Sequence, residues 1–186
     1  MLALPVRRYE GDVCVVAAPR DVERARADML AGSVVGFDTE TRPAFTKGEV
    51  HLPCLVQVAT ERTVYLFQLQ KSDYSGLIAE LLAAPQIVKA GVALAGDMRQ
   101  LKQLFAFEET KVMDLGGVAK GRGLEQTGVR NLAGIFLRYR IPKGTRTSNW
   151  ATARLSPAQI TYAATDAWIC RELYLRFQAL GMVSST

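Results

Sequence analysis

The spacing of apolar and polar residues changes several times along the chain, and each change marks a new element. Asp12 to Ala18 and Ser33 to Thr39 are short β-branched and apolar runs, read as strands. Between them Asp21 to Ala31 reads as a helix stopped by Gly32. Thr41 to Pro53 contains Pro43, Gly48 and Pro53 and reads as a loop. Cys54 to Thr60 and Thr63 to Gln68 are strands joined across Glu61-Arg62, the spacing of a hairpin. Three strands with short links predict an antiparallel meander.

Beyond Gln68 the pattern alternates between helix and strand. Tyr74 to Ala84 places Leu77, Ile78, Leu81 and Leu82 on one helical face. Gln86 to Val92 and Thr110 to Met113 read as short strands, and Ala95 to Phe105 as the helix between them. Asp114 is placed to cap the segment after it. Gly128 to Arg140 reads as one helix carrying Leu132, Ile135, Phe136 and Tyr139, followed by a loop from Ile141 to Arg154. The last helix is the best marked, with Ser156 as N-cap, Pro157 first, Gln159 completing a capping box and Gly181 at the end. Such units after a meander predict an α/β fold, a mixed sheet covered by helices.

Some apolar stripes carry a carboxylate. Tyr162, Asp166, Ile169, Leu173 and Phe177 step by four, three, four and four, so Asp166 lies on the buried side of its helix. Leu94, Asp97, Leu101 and Leu104 repeat the arrangement. In the strand Val34 to Thr41, side chains alternate, which puts Asp38 and Glu40 on one face, roughly 7 Å apart along the strand. Burying unpaired charge is costly, so acids on inward faces need a partner. The competing reading has Asp97 capping a helix and Asp166 pairing with an arginine.

Length and composition narrow the setting. At 186 residues, 49% hydrophobic and 22% charged, the chain reads as one domain over 1–186, without an accessory domain. No apolar run has the length of a membrane span, and Pro5, Arg7 and Arg8 interrupt the start where a secretory signal would be apolar. Cys14, Cys54 and Cys170 are far apart, and His51 is the only histidine. Neither a disulfide framework nor a Cys/His zinc site follows, so the expectation is an intracellular, cytoplasmic chain. Between Lys120 and Arg154 eight bases stand against one acid, a local +7 in a chain whose net charge is +5. A field that lopsided suits a polyanion such as nucleic acid.

Asp38, Glu40, Asp97 and Asp166 are thus one group from a strand and two helices, with no histidine among them. Carboxylates alone describe a hard-cation site for Mg²⁺ or Mn²⁺. Two such ions about 4 Å apart can hold the attacking and departing oxygens of a phosphoryl group. Tyr162 lies one turn before Asp166 and faces the same place. With an ordinary pKa of about 10, its role would be to orient water rather than to deprotonate it.

Phe37-Asp38-Thr39-Glu40, Gly91 to Leu101 (GVALAGDMRQL) and Tyr162-Ala163-Ala164-Thr165-Asp166 resemble the three exonuclease motifs of the DEDD superfamily. The third block matches the subgroup with tyrosine in that motif. Ribonuclease D and the Werner-type exonuclease domains are similar, also in the Ser148-Asn149-Trp150 segment, and the resemblance covers roughly Val34 to Leu173. It implies a ribonuclease H-like fold, motif-bearing over about 33–180, and stepwise removal of nucleotides from a 3′ end of DNA or RNA with two divalent ions. By motif, Asp38 would bridge both ions, Glu40 and Asp166 would complete the tighter one, Asp97 would serve the second, and Tyr162 would complete the catalytic set. Lys143, Arg146, Asn149 and Trp150, with Arg42 and Arg99 beside the first two motifs, are the candidate nucleic-acid contacts, a well-packed tryptophan and solvated lysine and arginine being the equal alternative. The rival readings are a non-catalytic nucleic-acid-binding module and an enzyme confined to very short RNAs.

Overall fold

A computed structural model describes residues 3–144 and 148–184. Its centre is a six-stranded mixed sheet. β1 (Asp12–Val15) lies at one edge, parallel to β4 (Thr63–Gln68). β4 pairs antiparallel with β3 (Pro53–Ala59), and β3 antiparallel with β2 (Val34–Thr41). β5 (Val88–Gly91) and β6 (Val112–Asp114) then add in parallel, giving the order β1-β4-β3-β2-β5-β6. This is the expected meander followed by parallel strands.

β3 and β4 are buried at every position, because helices cover both faces of the sheet. On one side α1 (Pro19–Ala31), α2 (Ser75–Ala83) and α3 (Leu94–Leu101) pack onto Val35, Phe37, Val56, Val58 and Phe67. On the other, α6 (Pro157–Ala179) lays Ala163, Ala164 and Ala167 over Leu55, Ala59, Val64 and Leu66. Its later turns, with Ile169, Leu173 and Phe177, join α4 (Leu115–Gly121) over Val34, Val88 and Ala90. Asp114 caps α4 as expected, accepting from the amides of Gly116 and Gly117. Ser156 and Gln159 form the expected capping box.

Small residues set how near α6 comes to the sheet. A Cβ on Gly36 would lie 1.9 Å from the carbonyl oxygen of Ala167, a distance no side chain tolerates. Gly36 precedes Asp38 by two on the same strand face, and Ala167 follows Asp166. The close contact therefore carries the two acids together.

Two expectations need correction. Gly128 to Arg140 is not one α-helix: α5 (Val129–Leu132) widens into a π-helical turn over Ala133–Leu137, and Arg138 then turns left-handed at φ +62°. The wider turn breaks the 3.6-residue spacing, so Ile135 is 51% exposed instead of buried. α3 ends at Leu101, which leaves Leu104 outside its stripe and 43% exposed.

Candidate active site

β2 runs out of the core at its C-terminal end. Val34 to Phe37 are buried, and Asp38, Thr39 and Glu40 are half-buried at the rim. Asp38 and Glu40 face α6, where Asp166 is only 8% exposed. One oxygen from each of Asp38, Glu40 and Asp166 lies within 4.8 Å of the others, a grouping fit to hold a cation. Asp97 is not part of that triplet. It arrives from α3, in the opposite helical layer, and accepts a hydrogen bond from the Thr39 hydroxyl. Its charge still acts on Asp38.

The electrostatics show what the cluster lacks. Burial pushes the Asp38 carboxyl well above the usual carboxylate range, and the charges of Asp166, Glu40 and Asp97 push it further. Asp166 is pushed up to about 6, chiefly by burial, against the pull of Arg130 and a hydrogen bond from Tyr162. Asp97 is also raised by burial, partly offset by Thr39. Acids held together in this way repel one another until a proton or a cation joins them. Hard oxygen donors without histidine or free thiolate fit Mg²⁺ or Mn²⁺. Cys54 and Cys170 are buried thiols pushed upward, Cys54 to about 11, so neither adds a sulfur ligand.

Tyr162 stands beside Asp166, and its hydroxyl is pushed up to about 12 by burial and by the Asp166 charge. At neutral pH it is a neutral hydroxyl, able to donate or accept a hydrogen bond but not to serve as a base. Trp150 backs its ring at 5.8 Å between centroids. Gly144 lies against that ring so closely that a Cβ there would sit 1.7 Å from it. Of the two readings of Trp150 the packed one holds: fully buried, it has no exposed face for a base and packs against Tyr162.

The other candidate contacts divide. Arg42 is exposed and lines a depression of about 510 Å³ with Glu40, Glu49, His51 and Asp97. Lys143 is exposed and lines a second one of about 390 Å³ with Arg8, Tyr162 and Asp166. Asn149 is exposed, but its carboxamide oxygen accepts from the Ala151 amide and shapes the turn before α6. Arg99 is exposed two residues beyond Asp97, and residues so spaced on a helix point in different directions. It does not line the depression that Asp97 lines. Arg146 lies outside the described residues.

Two site residues escaped the sequence reading. Gln57, opposite Asp38 in the β2–β3 register and fully buried, directs its amide nitrogen at Glu40 Oε1 at 3.5 Å. An uncharged polar residue inside an apolar strand was its only signal. Arg130 on α5 pulls on both Tyr162 and Asp166 and donates to the carbonyl of Pro142 at 3.2 Å. It was legible only as one base among eight.

A profile of the 3′–5′ exonuclease family matches residues 14–181. The bifunctional 3′–5′ exonuclease/ATP-dependent helicase WRN of Mus musculus is 30% identical over 95% of this chain, which spans 13% of that protein. Ribonuclease D of Gluconacetobacter diazotrophicus is 31% identical over 82% of this chain and 38% of its own length. The chain thus spans well under half of each of these curated relatives. Among solved structures, the Nibbler EXO domain of Aedes aegypti superposes with a TM-score of 0.80 at 21% identity, covering 93% of this chain and 91% of that one.

Proposed function

The chain belongs to the 3′–5′ exonuclease family, and from that premise we propose that it hydrolyses the terminal phosphodiester of a nucleic-acid strand, releasing nucleotides from the 3′ end. The observation that carries this reading is the meeting of Asp38, Glu40 and Asp166 within 4.8 Å, where the C-terminal half of β2 lies against the middle of α6. Asp38 and Asp166 flank the closest approach of strand and helix, so their spacing is fixed before substrate arrives. The tyrosine in the third motif supports placement in the tyrosine-bearing subgroup.

Two divalent ions, when bound, would acidify the attacking water and stabilise the departing 3′ oxygen. Asp38, Glu40 and Asp166 would hold the first and Asp97, with Asp38, the second. Tyr162, kept neutral and held by Trp150 and Gly144, donates or accepts a hydrogen bond at the attacking water. Thr39 fixes Asp97 by its hydroxyl. Lys143 and Arg42, on opposite sides of the acids, are the bases available to the scissile phosphate and to the phosphates upstream of it.

The test is incubation of 5′-labelled single-stranded DNA and RNA with Mg²⁺ or Mn²⁺, with and without chelator. A ladder shortening from the 3′ end, abolished by chelator, is the expected result. Binding without shortening would leave a non-catalytic module instead. Shortening confined to fragments of two to five nucleotides would mark an enzyme of very short RNAs.

A further inference from the structure

Next to the acidic cluster, beyond Asp166 and Tyr162, lies a groove that the proposed reaction does not use. It has a volume of about 550 Å³ and lies between α5 with its π-helical turn and the segment Arg140 to Lys143. Arg130, Arg140 and Lys143 line it with no acid among the lining residues. Pro142 and Lys143 also line the depression that contains Tyr162 and Asp166, so the two spaces share a wall. Arg130, on the groove side, donates to the Pro142 carbonyl of that wall and acts on both site residues.

The opposite side of the cluster has the reverse charge. There Arg42 and His51 face Glu40, Glu49 and Asp97. A polyanion reaching the acids is therefore repelled along one approach and attracted along the other. The groove also shows apolar surface: Val6 is 49% exposed and Ile135 is 51% exposed, as a result of the π-helical turn. A duplex hides its base faces, whereas an unpaired strand offers phosphates and base faces together. Bases and apolar side chains in one channel match the second ligand.

We propose that this groove binds the single-stranded stretch of nucleic acid immediately upstream of the 3′ end, with Arg130, Arg140 and Lys143 on its phosphates and Val6 and Ile135 against its bases. The proposal rests on the exonuclease reading of the adjoining acids and extends it from the bond cleaved to the strand that is held. The groove sets how a substrate of several nucleotides is gripped, while the acids see only the last phosphodiester.

The test measures binding of a fluorescein-labelled (dT)₁₂ by anisotropy in EDTA, where cleavage does not compete. Arg140→Gln should lower the slope of log affinity against log salt by about 1, the loss of one phosphate contact. Arg140 Nε also donates to the Leu4 carbonyl, so a second variant avoids that bond. Ile135→Glu, which puts an acid in the groove, should weaken (dT)₁₂ binding at least fivefold. With Mn²⁺ its loss of turnover on (dT)₁₂ should exceed its loss on a dinucleotide by a similar factor. Val50→Glu, the same charge at an exposed position on the acidic side, should cost less. Unchanged (dT)₁₂ binding in both groove variants, equal losses on dinucleotide and 12-mer, or a larger loss from Val50→Glu would overturn the groove. Equal competition by a blunt 12-base-pair duplex would overturn the single-stranded occupant. Absence of hydrolysis by the wild-type chain would instead sink the exonuclease reading, and the binding arm would still decide the groove.

Discussion

The two sides of the acidic cluster hold the same kind of side chain in opposite settings. On the α6 side, Asp166 is nearly closed off from solvent on a long capped helix and is held to β2 by a contact only glycine permits. Bases surround it: Arg8 and Lys143 in the adjoining depression and Arg130 beside it. On the α3 side, Asp97 is half-buried beside a loop in which Phe45 is 86% and Val50 is 76% exposed, and Glu40, though it faces α6, borders the same depression. Glu49 ties that loop locally, accepting from the amides of Phe45 and Thr46 and pairing with His51. The contrast assigns different work to the two sides. The rigid, basic side suits the part of the reaction that needs fixed geometry and a bound phosphate. The open, acidic side would suit a more loosely held cation.

Asp38 belongs to both sides, so its loss should have the largest effect. Asp38→Ala should cut hydrolysis by on the order of 10³-fold or more, the scale of losing transition-state charge stabilisation worth about 4 kcal/mol. The same change should stabilise the cation-free protein. The raised carboxyls of Asp38 and Asp166 keep protons in the native state that the unfolded chain has released above about pH 4. Stability without cation therefore falls as pH rises from about 4 through about 6, and divalent cations restore it above that window. Asp38→Ala should flatten the fall. Melting curves with and without Mn²⁺ between pH 4.5 and 8 check this. A wild-type chain that gains stability across that window without cation would contradict the assigned repulsion.

Tyr162→Phe tests the α6 side alone. It removes a hydroxyl but leaves the ring packed between Trp150 and Gly144. The expected cost is roughly 10- to 100-fold in turnover, the range for one hydrogen bond to a charged or developing-charge group. Cation affinity, read by calorimetry on the unreacted protein, should change little. A normal rate would reduce the tyrosine to packing.

What the sequence disclosed, and what it hid, divides along the same lines. The acids were legible because each interrupts an apolar period: Asp166 within steps of four and three, Asp97 within α3, Asp38 and Glu40 at the end of a buried strand. The capping box, the Asp114 cap and the meander were legible from local chemistry for the same reason. What was not legible depends on contact between distant segments. Gly36 sits within a strand, a position where glycine often marks close backbone approach, and that approach brings Asp166 to Asp38. Gly144 against Tyr162 belongs to the same class, as do Gln57 and Arg130, which take their place only once the layers close. The π-helical turn broke a helix whose periodicity looked continuous, and it exposed Ile135. Asp97 was expected with the other acids, but alternation along β2 had put Thr39 on the far face. Thr39 is the residue that receives it.

That last relation supplies the smallest and most selective break. Thr39→Val preserves the shape and β-branching of the side chain, so β2 should keep its register with β3. It removes the hydroxyl that holds Asp97, and one hydrogen bond of this kind is worth about 1 kcal/mol. Asp97 then has one fewer group fixing its carboxylate, while Asp38, Glu40 and Asp166 keep their mutual positions. The expected outcome is a few-fold drop in turnover at limiting Mg²⁺ that is recovered as Mg²⁺ is raised. Tyr162→Phe should not be rescued in this way, because its defect is on the side where the acids are already fixed. Measuring rate against Mg²⁺ concentration for both variants decides the matter. If raised Mg²⁺ rescues both equally, or neither, the two sides of the cluster do not divide the work and the asymmetry is only one of packing.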